Sequence, residues 1–273
     1  MKKLLAMMLA SVILLGVTSC GGNNPADTTE TQAPVTAGES AEGATDAPED
    51  TATEETAAEG DILNISLATT PETIDPNLGS ALDSGNYANH LFEGLMRYKW
   101  DGTGVEFGMA ESYEVSDDGL VWTFKLRDSQ WSDGQPVKAQ DFVFSWQRLV
   151  DPEVAAPYNM DMGKYINNGA AIVEGTLPKE ELGVKAVDDK TLEVTLQNPT
   201  PYFDQLAAFA TFSPLRQDTI EANGDNWTKT PETYLSNGPF KMLSYTPDDR
   251  FECVPNPGYW DAASVKPAQI NWL

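Results

Sequence analysis

The segment from Arg127 to Pro152 constrains the fold more than any other part of the chain, because it encodes a tight turn followed by one amphipathic helix. Asp133-Gly134 is a turn dipeptide, and Pro136 restricts the backbone after it. Apolar residues then recur at helical spacing until Asp151-Pro152 ends the run. These apolar residues are Phe142, Val143, Trp146, Leu149 and Val150. The sequence therefore predicts a turn, a buried helix and a helix stop, in that order.

Residues 1–20 have the features of a bacterial export signal. Lys2 and Lys3 precede an apolar run from Leu4 to Val17, which is short for a membrane span, and small residues precede Cys20. This order resembles the site at which bacterial lipoproteins are cut and acylated. We therefore predict a lipoprotein signal peptide over 1–20, with Cys20 as the lipidated residue; the alternatives are an uncleaved anchor or a chance cysteine.

Residues 21–60 form an acidic, low-complexity segment. It contains ten acids, no base and one larger aliphatic residue, Val35, so it cannot bury enough apolar surface to fold. We predict a disordered linker that tethers a globular domain at 61–273. That domain carries 32 acids against 15 bases and lacks the clustered Lys and Arg that nucleic acid requires, so nucleic acid is not an expected partner.

The residue types that carry most hydrolytic or metal chemistry are scarce. His90 is the one histidine, and Cys253 remains as the one thiol if Cys20 is lipidated, so neither a nucleophilic triad nor a zinc site is predicted. Asp117-Asp118, Asp188-Asp189 and Asp248-Asp249 all read as turn residues rather than acid–base pairs. We predict no enzyme, no catalytic residue, no metal and no cofactor.

Apolar periodicity also predicts the regular elements of the globular part. Hairpins are expected at Tyr113–Leu126 and Val184–Leu196, each with one buried face on its second strand. Helices are expected from near Tyr87, with Leu91, Phe92 and Leu95 facing a core, and from a Thr200 cap through Ala207. Further strands are expected at 62–67, 240–245, 250–254 and 269–273.

Seven segments, in order along the chain, carry a resemblance to a known family. They are Leu91–Leu95, Arg127–Pro152, Leu182–Ala186, Thr191–Leu196, Pro201–Phe203, Ser236–Phe240 and Asn256–Asp261. Together they resemble the extracellular solute-binding proteins of ABC importers, of the oligopeptide-binding family 5 type, from about Ile62 onward. Lys138 departs from the pattern, since members commonly carry threonine there; lysine cannot accept a capping hydrogen bond, at a cost of about 1 kcal/mol.

The resemblance implies an α/β fold: a periplasmic-binding-protein-like mixed α/β lobe with an inserted smaller α/β subdomain. Residues 61–92 and 218–273 would form the hinge lobe, and residues 93–217 the inserted subdomain. The family continues into a second lobe that is missing from this sequence, so we expect an N-terminal portion of the solute-binding domain.

The resemblance also implies a ligand-binding site. Ser80, Ala81 and Leu82 align with the family strip that pairs with the peptide backbone, Tyr158 aligns with a pocket tyrosine, and Asn237 and Gly238 lie near the expected cleft. The expected function is capture of extracellular oligopeptides for import by a monomer that is lipid-anchored outside the cytoplasm, on the cell surface or the periplasmic face of the membrane, with ABC permease subunits as partners.

Two alternatives to this function remain open. The first is a receptor for another solute, such as a dipeptide, a nickel complex, haem or a sugar-derived ligand. The second is a surface adhesion or signalling protein.

Overall fold

The computed structural model describes residues 60–67 and 71–273. The predicted signal peptide with Cys20 lies outside the described residues, as does the predicted acidic linker apart from Gly60. The described residues belong to one compact unit. None of their helices is both long enough and apolar enough to cross a membrane.

The described part of the chain contains ten strands and six α-helices, together with four short 3-10 helices. The strands are β1 (Ile62–Ile65), β2 (Met96–Tyr98), β3 (Val105–Phe107), β4 (Ala110–Val115), β5 (Val121–Leu126), β6 (Val184–Asp188), β7 (Thr191–Thr195), β8 (Phe240–Thr246), β9 (Arg250–Pro255) and β10 (Gln269–Trp272). The helices are α1 (Leu82–Leu91), α2 (Ala139–Val150), α3 (Asn159–Gly163), α4 (Gly169–Val173), α5 (Phe203–Leu206) and α6 (Gln217–Asn223).

The first sheet has the strand order β1-β10-β9-β8, with β1 parallel to β10 and the other neighbours antiparallel. All four strands were predicted from the sequence, and all four are confirmed. Helix α1 packs against this sheet through Tyr87, whose ring centroid lies 4.9 Å from those of both Phe251 and Trp272. The sheet thereby holds the helix that follows the predicted binding strip.

The second sheet is antiparallel, with the order β4-β5-β7-β6. Both predicted hairpins are confirmed, and the second strand of each buries the predicted face. The buried residues on these two strands are Trp122, Phe124, Leu126, Leu192 and Val194. Helix α2 packs on β6 and β7 of this sheet. The ring centroid of Trp146 lies 4.7 Å from that of Phe212 and 6.4 Å from that of Phe203. Aromatic contacts therefore contribute to the core between α2 and this sheet.

Helix α2 confirms the turn, helix and stop predicted from the sequence: it ends at Val150, and Asp151 caps it in an extended conformation. Its N-terminus keeps one half of a capping box, because the Asp141 carboxylate accepts the Lys138 backbone N–H at 2.9 Å. The same carboxylate accepts the Trp131 indole N–H at 3.0 Å. The Lys138 ammonium instead pairs with Asp189 at 3.0 Å, so the other half of the box has no acceptor.

Two helix boundaries differ from the prediction. Helix α1 begins at Leu82 and ends at Leu91, and the chain then turns into β2, which the apolar spacing did not predict. The carbonyls of Gly94 and Leu95 accept backbone N–H groups of residues 108–110. Leu95 is therefore buried as predicted but outside the helix, because long-range backbone pairing decides the conformation here.

The predicted helix from Thr200 is shorter than expected. Helix α5 spans only Phe203–Leu206, and the Thr200 hydroxyl donates to the carbonyl of Asn198 at 3.0 Å. The hydroxyl oxygen accepts no N–H of α5, so the predicted threonine cap was wrong.

Candidate ligand-binding site

A cavity of about 370 Å³ lies beside the start of α1. Ser80, Ala81 and Leu82 line one side of this cavity, and Tyr158 lines another. The structure therefore brings together four of the six predicted ligand-binding residues, although Tyr158 lies 76 or more positions after the other three.

The strip Ser80–Leu82 is exposed and ready to make backbone hydrogen bonds. Ala81 is extended, with φ −91° and ψ 158°, and Leu82 is 82% exposed. Within the part of the chain that the structure describes, no carbonyl or side chain accepts the backbone N–H groups of these three residues. Leu82 opens α1, where the first N–H groups have no partner within the helix. An extended peptide could satisfy these donors.

Tyr158 is held over the strip by contacts on both of its ends. Its hydroxyl donates to the Ser80 carbonyl at 3.3 Å, and its ring packs edge-on against Phe209 with centroids 5.3 Å apart. The loop that presents it includes Ala155 at φ 53°, a left-handed conformation that costs a residue with a Cβ about 1–2 kcal/mol. The surrounding contacts offset this strain and place the aromatic ring in the cavity.

A buried polar network fixes the loop that leads into the strip. Arg148 of α2 donates two hydrogen bonds to the Asp75 carboxylate, at 2.7 and 3.2 Å, and one to the Asn77 side-chain carbonyl at 2.9 Å. The Asp75 backbone carbonyl accepts the N–H groups of Leu78 and Gly79. Removing one partner of such a buried pair typically costs about 3–5 kcal/mol. Helix α2 therefore positions the strip through the loop that leads into it.

Asn237 and Gly238, the other two predicted ligand-binding residues, do not line this cavity. The Asn237 side chain accepts the Glu93 N–H at 3.1 Å and donates to the Glu93 carbonyl at 2.9 Å. The Gly238 N–H donates to the Leu91 carbonyl, and a Cβ at this glycine would lie 2.7 Å from the Leu91 backbone. These contacts give both residues a role in joining the end of α1 to β8, and direct contact with a ligand stays a prediction.

Sequence reasoning missed a buried carboxylate at Glu93, which is 5% exposed. It accepts the Tyr259 hydroxyl at 2.6 Å and the Trp260 indole N–H at 3.2 Å, and Arg97 lies 3.7 Å away. Burial raises the pKa of Glu93, although these hydrogen bonds and the charge of Arg97 oppose the shift. The position of an acid within the apolar segment Leu91–Leu95 was the sequence signal that could have predicted this buried carboxylate.

The residues considered for catalysis occupy structural positions. His90 Nδ1 lies 2.7 Å from the Asn86 carbonyl, and the ring packs edge-on against Trp272. Cys253 is buried in β9, where burial raises the pKa of its thiol. Asp118 accepts the Ser116 hydroxyl and the Leu120 N–H within its turn, as predicted for a turn aspartate. Among the described residues, no cluster of three His, Cys, Asp or Glu could hold a metal ion.

The fold is that of a mixed α/β lobe of the periplasmic-binding-protein type, with a cavity beside an exposed backbone strip, and the predicted fold class is confirmed. Residues 104–273 match the bacterial extracellular solute-binding proteins, family 5 Middle. The chain belongs to this family.

Relatives and solved structures agree with this assignment. The chain is 40% identical over 212 residues to the oligopeptide-binding protein OppA of Bacillus subtilis, covering 77% of the chain and 38% of OppA. It is 38% identical over 205 residues to the periplasmic murein peptide-binding protein MppA of Escherichia coli, covering 74% and 37%. A structure of Listeria monocytogenes OppA bound to peptide superposes with a TM-score of 0.75 at 39% identity, covering 79% and 42%. The chain thus spans about two fifths of the length of these relatives.

Proposed function

We propose that this chain is part of the substrate-binding component of an ABC importer that captures extracellular oligopeptides. The observation that carries the proposal is the cavity that Ser80–Leu82 and Tyr158 line together, since the backbone N–H groups of the strip have no acceptor among the described residues. Extended peptides present donors and acceptors at a fixed repeat, so a backbone strip can bind them whatever their sequence. Relatives named as oligopeptide-binding and murein peptide-binding proteins support the same ligand class.

The domain organisation and cellular placement extend this proposal. Residues 61–92 and 218–273 form the hinge lobe, residues 93–217 form the inserted subdomain, and closure of a second lobe over the cavity traps the peptide for delivery to ABC permease subunits. The protein acts as a monomer. Lipid on Cys20 anchors it at the outer face of the cell membrane, and residues 21–60 act as the linker. The acidic, base-free composition of residues 21–60 supports the linker, and the export pattern that ends at Cys20 supports the lipid anchor.

The experiment is calorimetric titration of the full-length protein with a mixed library of short peptides, and then with single peptides from the bound fraction. We expect Tyr158→Ala to weaken binding about tenfold or more, because an aromatic anchor in a pocket typically contributes above 1 kcal/mol. Tyr158→Phe keeps the ring and loses one hydrogen bond to Ser80, so we expect a smaller effect.

Tyr202→Ala is the matched control, because Tyr202 is a half-exposed tyrosine that does not line the cavity. The peptide affinity of this variant should equal that of the wild type. If no library peptide binds and a dipeptide, nickel complex, haem or sugar-derived ligand binds tightly, the protein is a receptor for that other solute. Absence of binding by any solute would favour adhesion or signalling.

A further inference from the structure

The cavity beside Ser80–Leu82 has an uncharged wall, although the protein as a whole is strongly acidic, with a formal net charge of −25. None of the residues that line the cavity is Asp, Glu, Lys, Arg or His. Three aromatic rings, those of Tyr98, Tyr158 and Phe209, contribute to the wall. A charged group that entered this cavity would lose hydration without gaining an ionic partner from this wall, which is unfavourable.

The volume of the cavity depends on a glycine. Gly85 lies inside α1, where glycine is less favourable than alanine, and it lines the cavity. A Cβ built at Gly85 meets no atom within 4 Å, and its φ is not in the left-handed region. Neither packing nor backbone geometry therefore requires glycine at this position. The missing side chain leaves room in the cavity, whose 370 Å³ lies near the lower end of the range for small-molecule pockets.

Two amides supply polar atoms to the same wall without adding charge. Asn86 and Asn89 lie on α1 four and seven positions after Leu82, on the helix face that borders the cavity. Among the described residues, neither side chain makes a hydrogen bond to the rest of the chain. Both amides can therefore bond a ligand backbone, and an isosteric change to aspartate would place a charge at the cavity wall.

We propose that this cavity selects an uncharged, bulky apolar side chain, aromatic or branched aliphatic, and that Gly85 and Asn86 set this selectivity through size and charge. The inference rests on the proposed function, because it names the peptide class that the site prefers. The acidic field of the protein draws cations toward its surface, but salt screens that field beyond about 8 Å. The neutral wall therefore disfavours a charged side chain at this position of the ligand.

The test is a positional scan on the full-length protein. Short peptides carry Ala, Leu, Phe, Lys or Glu at one position at a time, and dissociation constants are measured by calorimetry. In the wild type, we expect one position at which Phe and Leu bind at least about tenfold tighter than Lys and Glu. Equal binding of all five residues at every position overturns the inference and leaves the proposed function standing. Failure of every peptide to bind overturns the proposed function itself.

Two variants separate charge from size at that position. Asn86→Asp should raise the affinity for the Lys peptide relative to the Phe peptide by about tenfold. Asn89→Asp places the same charge on the same wall and replaces the first variant if that variant does not fold. Gly85→Leu should weaken binding of the Phe peptide by about tenfold and leave the affinity for the Ala peptide unchanged. Asn226→Asp adds the same charge at an exposed position away from the cavity and should leave the profile unchanged. An unchanged profile in folded Asn86→Asp, Asn89→Asp and Gly85→Leu proteins would refute the selectivity proposal.

Discussion

At the scale of single residues, Glu93 shows how one buried polar group can join distant parts of the chain. Its carboxylate bonds Tyr259 and Trp260, while its backbone bonds the Asn237 side chain at both the N–H and the carbonyl. Arg97 contributes a nearby positive charge and donates to the Tyr259 hydroxyl at 3.0 Å. The end of α1 is thereby tied to the segment that follows β9.

Because the pKa of Glu93 is raised in the folded state, the free energy of unfolding depends on pH in a known direction. The folded state holds this proton at a higher pH than the unfolded state, so the free energy of unfolding falls as pH rises from the ordinary glutamate pKa through the folded pKa. The slope for one proton is at most about 1.4 kcal/mol per pH unit. Glu93→Gln removes this titration, so the stability of the variant minus that of the wild type should increase with pH across that window.

The measurement is denaturant unfolding of both proteins from pH 4 to pH 8. The exposed Glu180→Gln is the control, and its difference from the wild type should not show this trend. A Glu93→Gln difference that stays constant across the same range would contradict the assignment of a raised pKa.

At the scale of secondary-structure elements, helix α2 connects the recognisable motif to the binding strip. Its apolar stripe packs on the second sheet, and its polar side contributes Arg148 to the carboxylate of Asp75. Apolar spacing predicted the helix because the burial of one face requires that spacing. The ion pair was not predictable, because the two residues lie 73 positions apart and only the fold brings them together.

The incomplete capping box of α2 gives a prediction at this scale. Lys138→Thr should supply the missing acceptor and raise the free energy of unfolding by about 1 kcal/mol, because Asp141 already forms the reciprocal bond. Lys138→Ala removes the exposed ion pair with Asp189 and adds no cap, so it should change stability by less than about 1 kcal/mol. Denaturant unfolding of the three proteins measures both effects. Equal stability of the threonine and alanine variants would show that the cap does not form.

At the scale of the whole molecule, the predicted lipid on Cys20 would hold the exported protein at the membrane. The sequence contains two cysteines, of which Cys253 is buried in β9 and Cys20 lies outside the described residues. We expect the full-length wild-type protein, expressed in a bacterium, to enter the detergent phase on phase partitioning. Cys20→Ser should move the processed protein to the aqueous phase, because it removes the thiol that carries the lipid.

Cys253→Ser is the matched control and should stay with the detergent. If Cys20→Ser has lost its leader and still partitions like the wild type, the lipid-anchor prediction is wrong. Intact mass of the purified proteins distinguishes a missing lipid from an uncleaved leader.

The sequence by itself determined the elements whose signal is local. The two hairpins, the strands of the first sheet and the turn, helix and stop of α2 follow from apolar periodicity and turn residues, which act over a few positions. The family resemblance also placed Ser80–Leu82 and Tyr158 in one site, and the structure brings them together at one cavity.

Only the tertiary structure decided the features that depend on distant parts of the chain. Strand β2 replaced a continued helix because it pairs with β3, and the carbonyls of Gly94 and Leu95 just before it accept backbone N–H groups of residues 108–110. Asn237 and Gly238 join β8 to the end of α1, Glu93 is buried against Tyr259, and the cavity beside Gly85 is uncharged. Each of these depends on contacts between segments far apart in sequence, and local propensity carries no information about such contacts.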